Sequence, residues 1–206
     1  MSRRYLFHYR LAQVLIRAGT RSACGFRCEG TGHLPTQGAC LLAANHKSYL
    51  DPLVIGAAVS RPICYFAKKQ LFRIPLFGPL IHSLGAIPVD REGFSRDGVE
   101  TALGILQRGE VLVVFPEGTR IRRPGLAAPK VGIGLLALRT GTPVVPVHIA
   151  GTWEPRRSWR RRMPVTVRLG PPLVFPRLPA GPEARARYPE IAEAVMEAIA
   201  ALAPQK

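Results

Sequence analysis

The chain has 206 residues, 29 of them Lys or Arg against 13 Asp or Glu, which gives a formal charge of +16 and an isoelectric point near 11.0. Its length suits a single domain with a real core, and a hydrophobic content of 47% is ordinary for a globular protein. The charge points to a polyanionic partner, nucleic acid or an anionic membrane surface, and the lack of a long uncharged apolar run excludes a membrane-spanning helix.

Residues 3–17 read as a basic, partly amphipathic helix with Tyr5, Tyr9, Ala12 and Ile16 on one face. Two roles suit such a helix: lying among lipid headgroups, or docking on the core. Arg10 and Arg17 interrupt its apolar residues, so it is not expected to be a signal peptide. A turn-rich connection with Gly30, Gly32, Pro35 and Gly38 follows. Residues 39–44 are then apolar throughout, as in a buried strand, and end in Asn45-His46. Asp51-Pro52 carries a helix-start signature, Asp as cap and Pro in the first turn. On one continuous helix His46 and Asp51 would stand about 140° apart. On a strand–turn–helix path they converge, and a carboxylate on one ring nitrogen leaves the other to take a proton. The alternative is a helix cap beside an unrelated loop histidine.

Residues 63–67 read as a second strand, ending in Lys68-Lys69. The apolar stretch 71–84 is broken by Pro and Gly and forms either a short helix with loops or the lining of a groove. Residues 85–91 form a short strand closing in Asp90-Arg91, and 98–109 a helix with Val99, Leu103 and Leu106 in register. The apolar strand 111–115 delivers Pro116-Glu117-Gly118-Thr119-Arg120, and a basic loop with Arg122, Arg123 and Lys130 leads to a helix at 132–139. A strand at 143–149, an Arg-dense loop at 154–162 beside Trp153 and Trp159, a half-exposed strand at 165–169 and a closing helix through Ile191, Val195, Ile199 and Leu202 complete the chain. Cys24, Cys28, Cys40 and Cys64 lack metal-ligand spacing and read as reduced thiols, so no metal site is expected.

Strands alternating with helices argue a single α/β domain, its mixed, largely parallel sheet flanked by helices. Three strands end in polar clusters, Asn45-His46, Asp90-Arg91 and 117–120, and in such sheets ligands gather at the carboxyl ends of the strands. Arginine forks match a phosphate, and glycine lets backbone approach it. No Gly-rich nucleotide fingerprint or Walker loop is present, so the phosphate is not expected to be a nucleotide's.

The residues at these positions resemble the glycerolipid acyltransferases, above all those that acylate lysophosphatidic acid. The likeness rests on four ordered blocks: Asn45-His46-x4-Asp51, Gly85-Ala86-Ile87-Pro88-Val89-Asp90-Arg91, Phe115-Pro116-Glu117-Gly118-Thr119-Arg120 and Val144-Val145-Pro146-Val147. It runs from about residue 25 to 172 and implies a glycerol-3-phosphate acyltransferase-like fold. It makes His46 the general base and Asp51 its orienting partner, and assigns Arg91, Glu117, Gly118, Thr119 and Arg120 to the acceptor. Lys68 would also face the phosphate, although the family usually carries Glu where this chain has Gln70.

The resemblance further implies transfer of an acyl group from acyl-CoA or acyl-carrier protein to 1-acylglycerol 3-phosphate, with no cofactor. Residues 1–24 would form the membrane-surface helix and 25–206 the acyltransferase domain, peripheral on the cytoplasmic face of the cell membrane. No nucleic acid partner is expected. The alternatives are an acyltransferase of another lysophospholipid, a nucleic-acid-binding module, prompted by the charge and by the Arg cluster around Trp159, and a non-catalytic membrane adaptor on the same scaffold.

Overall fold

The apolar run that ends at Asn45 is the middle of a seven-stranded sheet. The computed structural model describes residues 3–90, 95–153 and 164–204. The strands are β1 (Arg27–Glu29), β2 (Cys40–Ala44), β3 (Ile63–Lys68), β4 (Ala86–Val89), β5 (Val111–Val114), β6 (Val144–Ala150) and β7 (Thr166–Leu169), in the spatial order β1-β7-β6-β2-β5-β3-β4. From β6 to β4 neighbours run parallel; β7 is antiparallel to β6, and β1 is parallel to β7. The expected mixed, largely parallel α/β sheet is therefore present.

All five residues of β2 are buried, as a strand covered on both faces requires. Cys40, Leu42 and Ala44 enter one core; Leu41 and Ala43 enter the other. The first core receives helices α1 (Arg3–Cys24), α2 (Asp51–Ala58) and α3 (Phe77–Ser83), and the second receives α4 (Arg96–Gln107), α5 (Gly132–Thr140) and α6 (Pro182–Ala201). The helix after β2 thus leaves to one face and the helix after its neighbour β5 to the other. Such a switch point opens a crevice at the carboxyl ends of the two strands.

Helix α1 is longer than its periodicity predicts, and the face bearing Tyr9, Ala12 and Ile16 packs on the first core. Tyr9 is buried, with its hydroxyl accepting from the Ile63 N–H at 3.2 Å. Gln13 donates to the carbonyls of Gly56 and Val59, and Arg17 to that of Ala57, so α1 satisfies carbonyls left open at the end of α2. The predicted amphipathic face is thus the docked face. A different stripe, Leu11, Val14 and Leu15, is exposed.

Strand β1 falls within the stretch that reads as turns. Arg27-Cys28-Glu29 has no apolar run to announce it, and its pairing with β7 comes from tertiary structure. Gly30 follows with φ 69°, and a Cβ there would overlap the Leu169 carbonyl.

Candidate active site

Asn45 extends β2 by one rung without backbone pairing. Its amide donates to the Ile149 carbonyl at 3.0 Å and accepts from the Ile149 N–H at 2.7 Å, which anchors the chain to β6 as it turns. His46 follows at the rim. Its Nδ1 lies 2.8 Å from Oδ2 of Asp51, a side chain with no solvent exposure.

Oδ2 also accepts from the N–H groups of Lys47 (2.6 Å) and Ser48 (2.7 Å), while Oδ1 accepts from the Thr152 hydroxyl at 2.7 Å. The expected helix-capping role of Asp51 is corrected by these bonds. Asp51 is the first residue of α2, the N-cap is Leu50, and the carboxylate faces backward into the turn that carries His46. That leaves Nδ1 of His46 as the protonated nitrogen and Nε2 as the basic one. The imidazole stacks on Phe115, with ring centroids 3.9 Å apart, and borders a mostly apolar cavity of about 470 Å³.

The loop after β5 is lashed to the same turn. Glu117 is 3% exposed; its Oε2 accepts from the His46 N–H at 2.7 Å and its Oε1 from the Ala127 N–H at 3.0 Å. Ile121 N–H donates to the His46 carbonyl at 2.8 Å, and Lys47 Nζ donates to the carbonyls of Arg123 and Gly125. Glu117, which the resemblance assigns to the acceptor, has both oxygens engaged by backbone N–H groups and is not among the residues that border the cavity. Its chemistry is that of a brace.

Gly118, Thr119, Arg120 and Lys68 do border the cavity, in company with His46. At Gly118 the backbone is left-handed (φ 70°), and a Cβ would come within 2.6 Å of the Lys130 side chain, which crosses it. Arg120 lies over Tyr49, its guanidinium carbon 3.4 Å from the ring centroid and its Nη2 donating to the hydroxyl at 2.7 Å. Arg91 lies outside the described residues, as does the Arg cluster of 156–162 with Trp159.

The cavity passes through the sheet rather than along it. Tyr65 and Phe66 are consecutive on β3 and point to opposite faces, yet both line it. The cause is a fork: β3 pairs with β5 only as far as Tyr65–Val113, then follows β4 alone to Lys68–Val89. Leu53, Phe77 and Ile81 wall one side and Val114 and Ile133 the other. The broken apolar stretch of 71–84 thus supplies both a short helix and lining.

Burial pushes the thiols of Cys40 and Cys64 up to about 12, the latter aided by Glu110, so neither offers a thiolate nucleophile. His148 is lowered to about 4 by burial, with Arg168 and Lys47 adding to the effect. Lys47 is lowered, chiefly by burial. Sequence reasoning missed Thr152, Lys130 and Tyr49 as parts of the site. Tyr49 lies inside the His-x4-Asp block and Lys130 in the noted basic loop, whereas Thr152 has no local signal.

A histidine oriented by a buried carboxylate, at the mouth of an apolar cavity with cations on its rim, is an arrangement suited to taking a proton from a hydroxyl. Residues 25–150 match the family described as Acyltransferase, and the chain belongs to that family. It is 29% identical over 199 residues to the 1-acyl-sn-glycerol-3-phosphate acyltransferase of Pseudomonas aeruginosa, covering 90% of this chain and 74% of that one. The Bacillus subtilis enzyme of the same description is 29% identical over 128 residues, covering 62% of this chain and 63% of its own. The Borreliella burgdorferi one is 31% identical over 150 residues, covering 69% and 60%. The chain thus spans less than two thirds of the length of several of these relatives. The crystal structure of the 1-acyl-sn-glycerophosphate acyltransferase of Thermotoga maritima superposes with a TM-score of 0.70 at 24% identity, covering 96% of this chain and 81% of that one, and so shares the fold.

Proposed function

We propose that this protein is a 1-acylglycerol-3-phosphate O-acyltransferase of phospholipid biosynthesis, taking its acyl group from acyl-CoA or acyl-carrier protein. The observation that carries the reading is the His46–Asp51 pair opening on an apolar cavity rimmed by Lys68, Arg120 and Lys130. That combination suits an acceptor with a hydrocarbon tail and a phosphate. The descriptions of its relatives support the same acceptor.

In this mechanism Nε2 of His46 takes the proton of the acceptor's free hydroxyl as its oxygen attacks the thioester carbonyl carbon. The tetrahedral adduct collapses, the C–S bond breaks, and the imidazolium returns its proton to the departing thiolate. The products are phosphatidic acid and the free thiol of CoA or carrier protein. Asp51 holds the ring and offsets the imidazolium charge. Phosphate binding by Arg120, with Lys68 and Arg91 as further contacts, fixes the hydroxyl beside the base.

Peripheral attachment at the cytoplasmic face of the membrane completes the proposal. Among the described residues no helix is long and apolar enough to cross a membrane. The net charge of +16 and the exposed Leu11, Val14 and Leu15 support surface binding.

The test is an acceptor panel of lysophosphatidic acid, glycerol 3-phosphate and neutral lysolipids with one acyl donor. His46→Ala should lower turnover by roughly 10²–10⁴-fold without abolishing acceptor binding. Arg120→Ala should narrow the kcat/KM ratio between lysophosphatidic acid and a neutral lysolipid. A parent enzyme indifferent to the phosphate monoester would sink the assignment.

A further inference from the structure

The contact between Arg120 and Tyr49 is made at the exposed rim of the cavity. Tyr49 is 60% exposed, and among the described residues it is the hydrogen-bonding partner of Arg120. Tyr49 belongs to the turn that carries His46 and Asp51, whereas Arg120 comes 71 residues later, on the loop after β5. Both side chains border the cavity.

The geometry of the pair leaves the guanidinium usable. Its central carbon lies 3.4 Å from the ring centroid, and one N–H of Nη2 goes to the phenol oxygen. The phenol takes one of the five N–H groups of the guanidinium, and a phosphate can be matched by the others. A phenol that takes one N–H and an anion that takes others therefore do not compete for the same donor. An unrestrained arginine would have to be ordered by the ligand itself, at a cost in affinity.

From this we infer that Tyr49 is a positioning residue that sets acceptor selectivity, holding Arg120 at the cavity mouth for a phosphate monoester. The inference rests on the reading of Arg120 as a phosphate contact. It joins recognition to chemistry, because the turn that aims the imidazole also carries the platform for the guanidinium. The separation between hydroxyl and phosphate is then gauged by one short segment of chain.

Tyr49→Leu, Tyr49→Phe and Arg120→Ala, assayed with lysophosphatidic acid and with a neutral lysolipid, test it. Thermal unfolding should show all three folded, since the side chains are at the surface. Tyr49→Leu should raise KM for lysophosphatidic acid roughly three- to tenfold, change kcat by less than about twofold, and narrow the selectivity ratio. Tyr49→Phe keeps the ring face and should recover most of the loss. In an Arg120→Ala background, Tyr49→Leu should have no further effect.

Parent-like KM and ratio in Tyr49→Leu, with the ratio still narrowed by Arg120→Ala, would overturn the inference while leaving the phosphate reading intact. A loss confined to kcat and equal for both acceptors would also overturn it, by making Tyr49 a support for His46. If Arg120→Ala leaves the ratio unchanged, the phosphate reading falls and the inference with it.

Discussion

Four bonds converge on the Asp51 carboxylate, and they decide how its substitutions should behave. In Asp51→Asn the amide nitrogen can take the place of Oδ1 opposite Thr152, whose hydroxyl turns to accept, while the remaining oxygen keeps His46 and the Lys47 and Ser48 N–H groups. The fold should survive with a melting temperature close to the parent's. Turnover should fall by about 10³-fold or more, because the imidazolium loses its compensating charge. Asp51→Ala instead leaves two part-buried N–H groups and a buried hydroxyl without their acceptor, the hydroxyl alone costing about 1–3 kcal/mol, and should melt well below the Asn variant. Equal melting temperatures for the two variants would show that the bonds to Asp51 do not stabilise the turn. Parent-like turnover in the Asn variant would reduce Asp51 to a structural acceptor.

At the scale of elements, the loop of residues 121–131 is ordered by what it is tied to. Glu117 is the central tie, bridging His46 and Ala127. Glu117→Ala should release the loop, and trypsin should then cut after Arg122 faster than in the parent. Cleavage at an unchanged rate would mean that the Lys47 and Ile121 bonds suffice. Strands β2 to β6 and the pairing of His46 with Asp51 were legible in the sequence because their signals are local: unbroken apolar runs and a turn of fixed length. The illegible parts depend on pairing between distant segments. The bond of Glu117 to His46, the Asn45 rung on Ile149 and the Thr152 bond each join residues made far apart. Strand β1 has no apolar run of its own, and α1 revealed its docked face but not the opposite stripe that stays in solvent.

Across the whole molecule, the proposed membrane attachment would draw on charge and exposed hydrocarbon together. Leu11, Val14 and Leu15 on α1 are joined by Leu76 and Leu80 at α3, which packs against α1. Leu76 is 88% exposed and holds a left-handed backbone (φ 63°), a conformation that is costly for leucine. Basic residues near an anionic surface contribute roughly 1 kcal/mol each, and salt screens them; buried leucines contribute a part that salt does not remove. The protein should therefore float with anionic vesicles, be partly released at high salt, and be released more fully when Leu11, Val14 and Leu15 are replaced by Ser. Equal retention of parent and variant at high salt would place the apolar contact elsewhere.

The bond from Thr152 to Asp51 spans 101 residues, and the Asn45–Ile149 pair spans 104. At a synthesis rate of about 5–20 residues per second, the ribosome needs roughly 5–20 s to supply these partners after the His46 turn has been made. Parallel pairing over such separations is also slow to close, because loop entropy is lost before any contact compensates for it. A growing chain therefore carries histidine and aspartate together without the frame that makes them a base. Under the proposed mechanism, the first moment of reactivity toward a thioester coincides with the end of folding.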